Sequence, residues 1–161
     1  MNVDTVHALP LDAMFSLANA SALLAWVALI ALPRWVLLRR AILALVVLGL
    51  CLLYTVLIQV YFFRVPGGGF GTLGEVQQLF TLREVALAGW VHYLAFDLFV
   101  GLWIARRADR MGLSRWLQAP VLATTFMFGP IGLLMFSAAL GVSGWQRRRK
   151  VTAAAVSGIT A

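Results

Sequence analysis

The sequence predicts an all-α integral membrane protein built as a bundle of four transmembrane helices. Two observations on composition predict this class: 62% of the 161 residues are hydrophobic and only 12% are charged, whereas about 25% are charged in an ordinary soluble domain. A soluble fold of this size leaves much of its surface in water and cannot bury so many apolar side chains. The third observation is that the apolar residues come in long runs. Lipid is therefore the expected solvent.

Four apolar runs are long enough to cross a hydrocarbon layer about 30 Å thick, which takes about 20 helical residues. Because backbone polar groups in lipid must be hydrogen-bonded within the structure, such uniform runs favour helices over the alternating strands of a barrel. The predicted spans are 13–33, 41–63, 84–105 and 118–143. They are expected to form a single transmembrane domain over residues 1–150, followed by a disordered tail over residues 151–161.

Charged and aromatic residues mark the ends of the first two spans. The first span opens near Asp12, whose carboxylate suits the positive end of a helix dipole. It closes at Pro33-Arg34-Trp35, where a proline, a cation and an interfacial aromatic coincide. The second span starts after Arg39-Arg40 and ends in the aromatic stretch Tyr61-Phe62-Phe63. These residues are typical of membrane interfaces.

A glycine-rich segment separates the second and third spans. Residues 65–71 combine one proline with four glycines, which excludes a regular helix. Leu73, Val76, Leu79 and Phe80 then recur at helical spacing, so the sequence predicts a short helix lying at the membrane surface. No Lys-Ser or Lys-Thr pair follows the glycines, and a phosphate-binding loop is not expected.

The net charge of +7 comes from 13 basic and 6 acidic residues. The basic residues lie in short clusters between apolar runs, as in cytoplasmic loops, and not along one face, so no nucleic-acid partner is expected. With four crossings, seven arginines fall on one side and six basic residues on the other. Greater weight on the early loops favours an outside amino terminus. Alternatively, residues 129–132 break the fourth span into a re-entrant or kinked segment and return the basic tail to the cytoplasm.

The single cysteine and the first 20 residues each argue against one kind of feature. Cys51 is the single cysteine, so an internal disulfide is excluded and a thiolate metal cluster is not expected. The first 20 residues contain Asp4 and Asp12 but no lysine or arginine, which argues against a signal or transit peptide.

The third span carries two ionisable side chains that could take part in a reaction, His92 and Asp97. A carboxylate near the bilayer centre costs at least about 2.5 to 3.5 kcal/mol on insertion scales, so Asp97 should face protein or water. Tyr93 and Trp90 precede it by four and seven residues and share its helix face. His92 precedes it by five residues and lies about 140° around the helix axis. His92 and Asp97 are therefore not an ideal pair on one face.

Two interpretations of Asp97 and His92 stay open from the sequence. They are buried polar links to Asn19, Gln59, Tyr54 or a backbone carbonyl, as polar groups often form between membrane helices, or they are functional groups. Two candidate ligands on different faces of one helix make a poor metal site, and no metal is predicted.

Asp109 lies at the end of the third span among Arg106, Arg107 and Arg110. A local ion pair with one of these arginines is the expected role of Asp109.

Two stretches carry a resemblance to a known family. They are the segment from Phe80-Thr81 through Leu87-Ala88, Trp90, His92, Leu94 and Asp97-Leu98-Phe99, and the later Gly129-Pro130-Ile131-Gly132. From about Phe15 to Phe136 the chain resembles the neoxanthin-synthase-like family, named after the plant abscisic-acid-deficient-four protein. Plant members are plastid envelope proteins needed to make neoxanthin from violaxanthin, an epoxide-to-allene isomerisation of a carotenoid.

The resemblance implies isomerase-type chemistry on a carotenoid or related isoprenoid, without a cofactor. Such a reaction needs an acid at the epoxide oxygen, a base at carbon and exclusion of water. The implied acid is Asp97 and the implied base is His92. The residues expected to contact the substrate are Trp90, Tyr93, Phe99 and Pro130. The chain lacks the long transit sequence of the plant proteins, so a bacterial inner-membrane protein is expected.

Two other functions stay open. One is a non-catalytic protein that binds such a lipid or supports a membrane enzyme through the glycine segment and the short helix at 73–80. The other is a small proton-linked carrier, since transporters also place a buried acid beside a broken helix. A carrier of four spans would need to form a homo-oligomer. The expected partners are membrane lipid, a carotenoid or isoprenoid ligand and further copies of the chain.

Overall fold

The computed structural model describes residues 10–157, with side chains over residues 10–141. Within that part the chain forms helices and no strands. The helices in chain order are α1 (Leu11–Ala31), α2 (Val36–Arg64), α3 (Leu73–Leu79), α4 (Arg83–Arg110) and α5 (Arg115–Ser157). Four of them, α1, α2, α4 and α5, are long and apolar enough to cross a membrane. The predicted all-α fold class is confirmed.

Helix α2 begins before the apolar run that predicts it. The helix starts at Val36 and contains Arg39 and Arg40 in its first turns, because hydropathy marks where lipid begins and not where a helix begins. Its backbone widens to π-helical hydrogen bonding over Ile42–Val47. The last turn, Phe62–Arg64, tightens to a 3-10 helix.

Helix α3 is the predicted short helix, and local hydrogen bonds account for its start. The Thr72 hydroxyl accepts a hydrogen bond from the Glu75 backbone N–H at 3.2 Å. The Glu75 carboxylate accepts one from the Gly71 N–H at 2.9 Å. This arrangement resembles a capping box. A Cβ atom on Gly68 would lie 2.6 Å from Leu79 Cδ2, so the glycine segment packs directly on α3. The position of α3 at a membrane surface stays a prediction.

Helix α4 is the central helix and contacts α1, α2 and α5. Its first half packs with α1 and α2 around Ala22 and Leu57. Its second half packs around Trp26 and Leu122. These clusters lie toward opposite ends of the bundle. We call the end with the α1–α2 and α4–α5 connections the arginine end, and the end with the glycine segment and α3 the loop end.

The first half of α5 runs antiparallel to α4. The Gln118 side-chain amide donates a hydrogen bond to the Ala105 carbonyl at 3.2 Å, near the arginine end. Further along α5, the Met127 carbonyl accepts a hydrogen bond from the Tyr93 hydroxyl at 3.3 Å. As α5 proceeds, its partners therefore move back along α4 toward the loop end.

The second half of α5 returns toward the arginine end. Phe128 has φ −143° and ψ 47°, which interrupts the helix. Beyond this break, the Phe136 ring packs edge-on against Trp103, with 5.6 Å between ring centroids. Leu122 and Phe136 stand on opposite sides of the break yet belong to the same hydrophobic cluster. A straight helix would have carried Phe136 to the loop end.

The residues at the break explain the reversal. Pro130 has no backbone N–H and disfavours helical geometry in the residue before it. A Cβ atom on Gly132 would lie 2.6 Å from the Thr125 Cα atom, so the two arms approach more closely than a side chain permits. The fourth apolar helix therefore follows the re-entrant path that the sequence raised as an alternative. We call residues 115–141 the re-entrant hairpin.

The ends of the chain are described in part. The backbone of α5 continues as a helix through residues 151–157, within the predicted disordered tail. Residues 1–9 and 158–161 of the predicted domain and tail lie outside the described part. The division into one domain and a tail stays a prediction.

Candidate functional site: an acid at the turn of a re-entrant hairpin

The Asp97 side chain lies directly against the turn of the re-entrant hairpin. A Cβ atom on Gly129 would lie 2.6 Å from Asp97 Cγ and 2.7 Å from its Oδ2. Only glycine leaves room for the carboxyl group at this position. Oδ2 is buried and has no hydrogen-bond partner among the described residues. Buried polar atoms are nearly always partnered in folded proteins, so this oxygen is available for another interaction.

The second arm of the hairpin begins at Gly129-Pro130, beside Asp97. A proline is favourable in the first turn of a helix, where its missing N–H has no role. The start of a helix carries a partial positive charge from its aligned peptide dipoles. The Asp97 carboxyl group therefore lies where this dipole stabilises negative charge. Asp97 can thus also have a structural role, because a carboxylate at this position stabilises the start of the second arm.

Tyr93 connects Asp97 to the helix break. Its hydroxyl donates a hydrogen bond to the Met127 carbonyl at 3.3 Å, next to the interrupted turn at Phe128. The same hydroxyl interacts with the Asp97 carboxyl group one turn along α4. Tyr93 therefore joins the face of α4 that carries Asp97 to the hairpin backbone.

Trp90 extends this polar stripe toward α1. Its indole Nε1 donates a hydrogen bond to Asn19 Oδ1 at 2.9 Å. Its ring also lies 5.4 Å from the Tyr93 ring, centroid to centroid. Trp90, Tyr93 and Asp97 therefore share one face of α4, directed at α1 and the hairpin. The sequence named Asn19 as a partner for Asp97 or His92, but Asn19 bonds Trp90 instead.

His92 lies on a different side of α4, at the surface of the bundle. Its ring is 5.2 Å from Tyr54 of α2 and stacks at 4.5 Å on Phe96. It lines an apolar groove of about 230 Å³, which we call the His92 groove. The other walls of this groove come from α2, the glycine segment and α3, and include Phe62, Phe70 and Phe80. The structure does not bring His92 and Asp97 together.

The remaining two candidate residues, Pro130 and Phe99, lie at different distances from the Asp97 site. Pro130 is exposed at the hairpin turn, adjacent to the glycine that touches Asp97. Phe99 is 50% exposed and, two residues after Asp97, points about 160° away around the helix axis. Trp90, Tyr93 and Pro130 thus group with Asp97, whereas His92 and Phe99 do not. Contact between Asp97 and Gly129 was not predicted, because no local spacing signals it.

Asp109 forms long-range ion pairs. Its Oδ2 accepts a hydrogen bond from Arg39, and its Oδ1 lies 3.4 Å from Arg34 Nε without hydrogen-bond geometry. The predicted local pair with the neighbouring arginines of α4 is wrong. Arg34 comes from the α1–α2 connection and Arg39 from the first turns of α2, because helix packing brings both segments against the end of α4.

The fold and this site define a small helical membrane protein with an acid at the turn of a re-entrant hairpin. Within the described residues no three His, Cys, Asp or Glu side chains are grouped as metal ligands. Residues 13–136 match the model of the ABA4-like family, described as ABA DEFICIENT 4-like. The chain belongs to this family, as the sequence resemblance implied. No curated protein and no solved structure matches the chain.

Proposed function

We propose that this protein acts on a carotenoid or related isoprenoid at the Asp97 site, by acid–base isomerisation. The observation that carries the proposal is the buried, unpartnered Oδ2 of Asp97 beside the hairpin turn. An ionisable residue inside a membrane protein is a functional candidate by default. The family match spans both Asp97 and the hairpin turn, which supports a shared role for the two.

The proposed reaction conserves atoms and electrons. Protonated Asp97 gives its proton to an epoxide oxygen as the C–O bond breaks. A base removes a proton from the neighbouring polyene carbon, and the C–H electron pair forms the new C=C bond. The reaction also requires exclusion of the water that would otherwise add to the opened ring. The product is an isomer of the substrate, so no oxidant or reductant takes part.

The positions of His92 and Asp97 limit how His92 could serve as the base of this reaction. His92 faces α2 and Asp97 faces the hairpin. His92 can therefore act only on a substrate that extends around α4 into the His92 groove. Tyr93 lies one helical turn before Asp97 on the same face of α4 and binds the hairpin backbone, and we propose that it orients the acid.

Expression in a host that makes epoxy-carotenoids tests this proposal, with pigments measured by liquid chromatography. Asp97→Asn should reduce conversion at least about 100-fold, the usual contribution of a general acid. Asp12→Asn is the matched control, since Asp12 is exposed at the start of α1 and should leave conversion unchanged. His92→Ala decides whether the groove supplies the base. Full conversion by a correctly inserted Asp97→Asn variant would exclude the catalytic role.

A second candidate function is lipid binding without catalysis. The His92 groove favours it, because the groove is apolar, open at the bundle surface and separate from the acid. Protein purified from the same host would then retain an unaltered pigment. Phe80→Ala should lower the amount retained, whereas Asp97→Asn should not change it.

We also propose a bacterial inner-membrane location with the arginine end in the cytoplasm and the amino terminus outside. The hairpin supports this orientation, because its second arm runs back toward the arginine end and the basic residues 147–150 follow that arm in the chain. The seven arginines over 34–40 and 106–115 belong to the same end. Arg64 and Arg83 then remain at the loop end. Cytoplasmic loops are the ones enriched in lysine and arginine.

Single cysteines in a Cys51→Ser background test the orientation in intact cells with a membrane-impermeant maleimide. Pro66→Cys at the loop end should react, whereas Ser114→Cys and Ser157→Cys should react after the cells are opened. Reaction of Ser114→Cys and Ser157→Cys from opposite sides would contradict the re-entrant path.

A further inference from the structure

A polar cavity lies at the arginine end, remote from Asp97. It encloses about 330 Å³ between the start of α2 and the end of α4. We call this cavity the arginine pocket. Its lining residues are Val36, Arg39, Arg40, Arg106, Asp109 and Arg110. Four of these six residues are arginines and one is acidic, so the pocket carries an excess of positive charge.

The single carboxylate of the pocket is already engaged. Arg39 is 8% exposed and donates hydrogen bonds to Asp109 and to the Pro33 carbonyl. Arg34 forms the second ion pair with Asp109, at 3.4 Å. These contacts compensate the charge of Asp109 and fix one wall of the pocket.

Three guanidinium groups of the pocket have no partner among the side chains and backbone groups that the structure describes. Arg40, Arg106 and Arg110 make no hydrogen bond or ion pair with any residue over 10–141. Arg106 and Arg110 are four residues apart on α4 and so lie on one helix face, where like charges repel. An anion between them and Arg40 would relieve this repulsion.

We propose that the arginine pocket binds the phosphate group of an anionic ligand. The planar guanidinium fork matches phosphate oxygens and binds them through paired hydrogen bonds. Trp35 and Trp116 flank the same end of the bundle and are 55% and 90% exposed, as is typical of aromatic residues at a membrane interface. The pocket therefore lies at headgroup depth, where basic pockets between helices bind anionic lipids.

Native mass spectrometry of the detergent-purified full chain tests this proposal with phosphatidylglycerol as the probe. Arg40→Gln, Arg106→Gln and Arg110→Gln should each weaken lipid binding about tenfold, the effect of losing a charge-assisted hydrogen bond. Arg107→Gln is the matched control. Arg107 neighbours the pocket on α4 but does not line it, and its substitution removes the same charge. The affinity of the Arg107→Gln variant for phosphatidylglycerol should change less than twofold.

Competition with inorganic diphosphate identifies the source of the phosphate. Displacement of the lipid supports a site that also accepts a free phosphate ligand, whereas retention supports a site for a lipid headgroup. Equal weakening by Arg107→Gln and the pocket variants would overturn the proposal, because it would reduce the pocket to general surface attraction. Absence of binding of either probe to the unaltered protein would overturn it as well. Circular dichroism of each variant verifies its fold.

Discussion

Asp97 and Asp109 lie on the same helix, α4, in opposite surroundings. Asp109 stands at the arginine end and is paired with Arg39 and Arg34. Asp97 lies against glycine backbone at the hairpin turn, with no ion pair among the described side chains and one buried, unpartnered oxygen. The comparison separates two kinds of carboxyl group: Asp109 joins helices through ion pairs, whereas Asp97 keeps one buried oxygen without a partner among the described residues.

The two sites should therefore respond differently to substitution. Removing one member of a buried ion pair leaves an uncompensated charge and destabilises the fold strongly. Neutralising an acid that has no ion-pair partner leaves no such charge behind. Measurements of stability and of pigment conversion on the same variants distinguish these effects.

The largest loss of stability is expected for Asp109→Ala. This change leaves the nearly buried Arg39 without its partner, which costs about 3 to 5 kcal/mol. The free energy of unfolding in mixed micelles, titrated with dodecyl sulfate, measures the loss. The double variant Asp109→Ala, Arg39→Met should recover part of it, because it removes the unpaired charge. A loss as small as that of an exposed ion pair would refute the structural role of Asp109.

Gly129→Ala should have the next largest effect. Its Cβ atom would lie 2.6 Å from Asp97 Cγ, so the acid or the hairpin must move, at a cost of about 1 to 3 kcal/mol. The displacement should also reduce pigment conversion. Gly49→Ala is the control, since no atom lies within 4 Å of its added Cβ. Equal behaviour of the two variants would refute the contact between Asp97 and the turn.

Asp97→Asn should change stability by less than about 1 kcal/mol, because the amide keeps the shape of the side chain and breaks no ion pair. Pigment conversion should nevertheless be lost, as proposed above. The same dodecyl sulfate titration measures the stability of the variant. A destabilisation as large as that of Asp109→Ala would show that Asp97, like Asp109, is needed mainly for the stability of the fold.

The smallest effect is expected for the ion pair between Asp12 and Arg83. Their atoms approach to 2.9 Å, but the side chains are 92% and 70% exposed, and exposed pairs contribute little. Arg83→Gln should leave the unfolding midpoint unchanged within experimental error. A clear shift of that midpoint would show that geometry alone, without burial, makes an ion pair stabilising in this protein.

The features of the fold that the sequence could predict are those that depend on residues close together in the chain. Hydropathy located α1, α2, α4 and α5, because preference for lipid is a property of each segment by itself. Residue spacing placed Trp90, Tyr93 and Asp97 on one face and His92 on another, because helical geometry is local. The capping of α3 by Thr72 and Glu75 was also readable from spacing, although it was not predicted.

The sequence by itself determined that this chain forms apolar helices, where α4 carries its acids and that Gly129-Pro130 can break a helix. Only the tertiary structure decided that α5 turns back at Phe128, that the turn meets Asp97, and that Asp109 pairs with Arg34 and Arg39. The contacts of Asp97 and Asp109 join residues far apart in the chain. Their formation depends on how whole helices pack, which neither composition nor local spacing encodes.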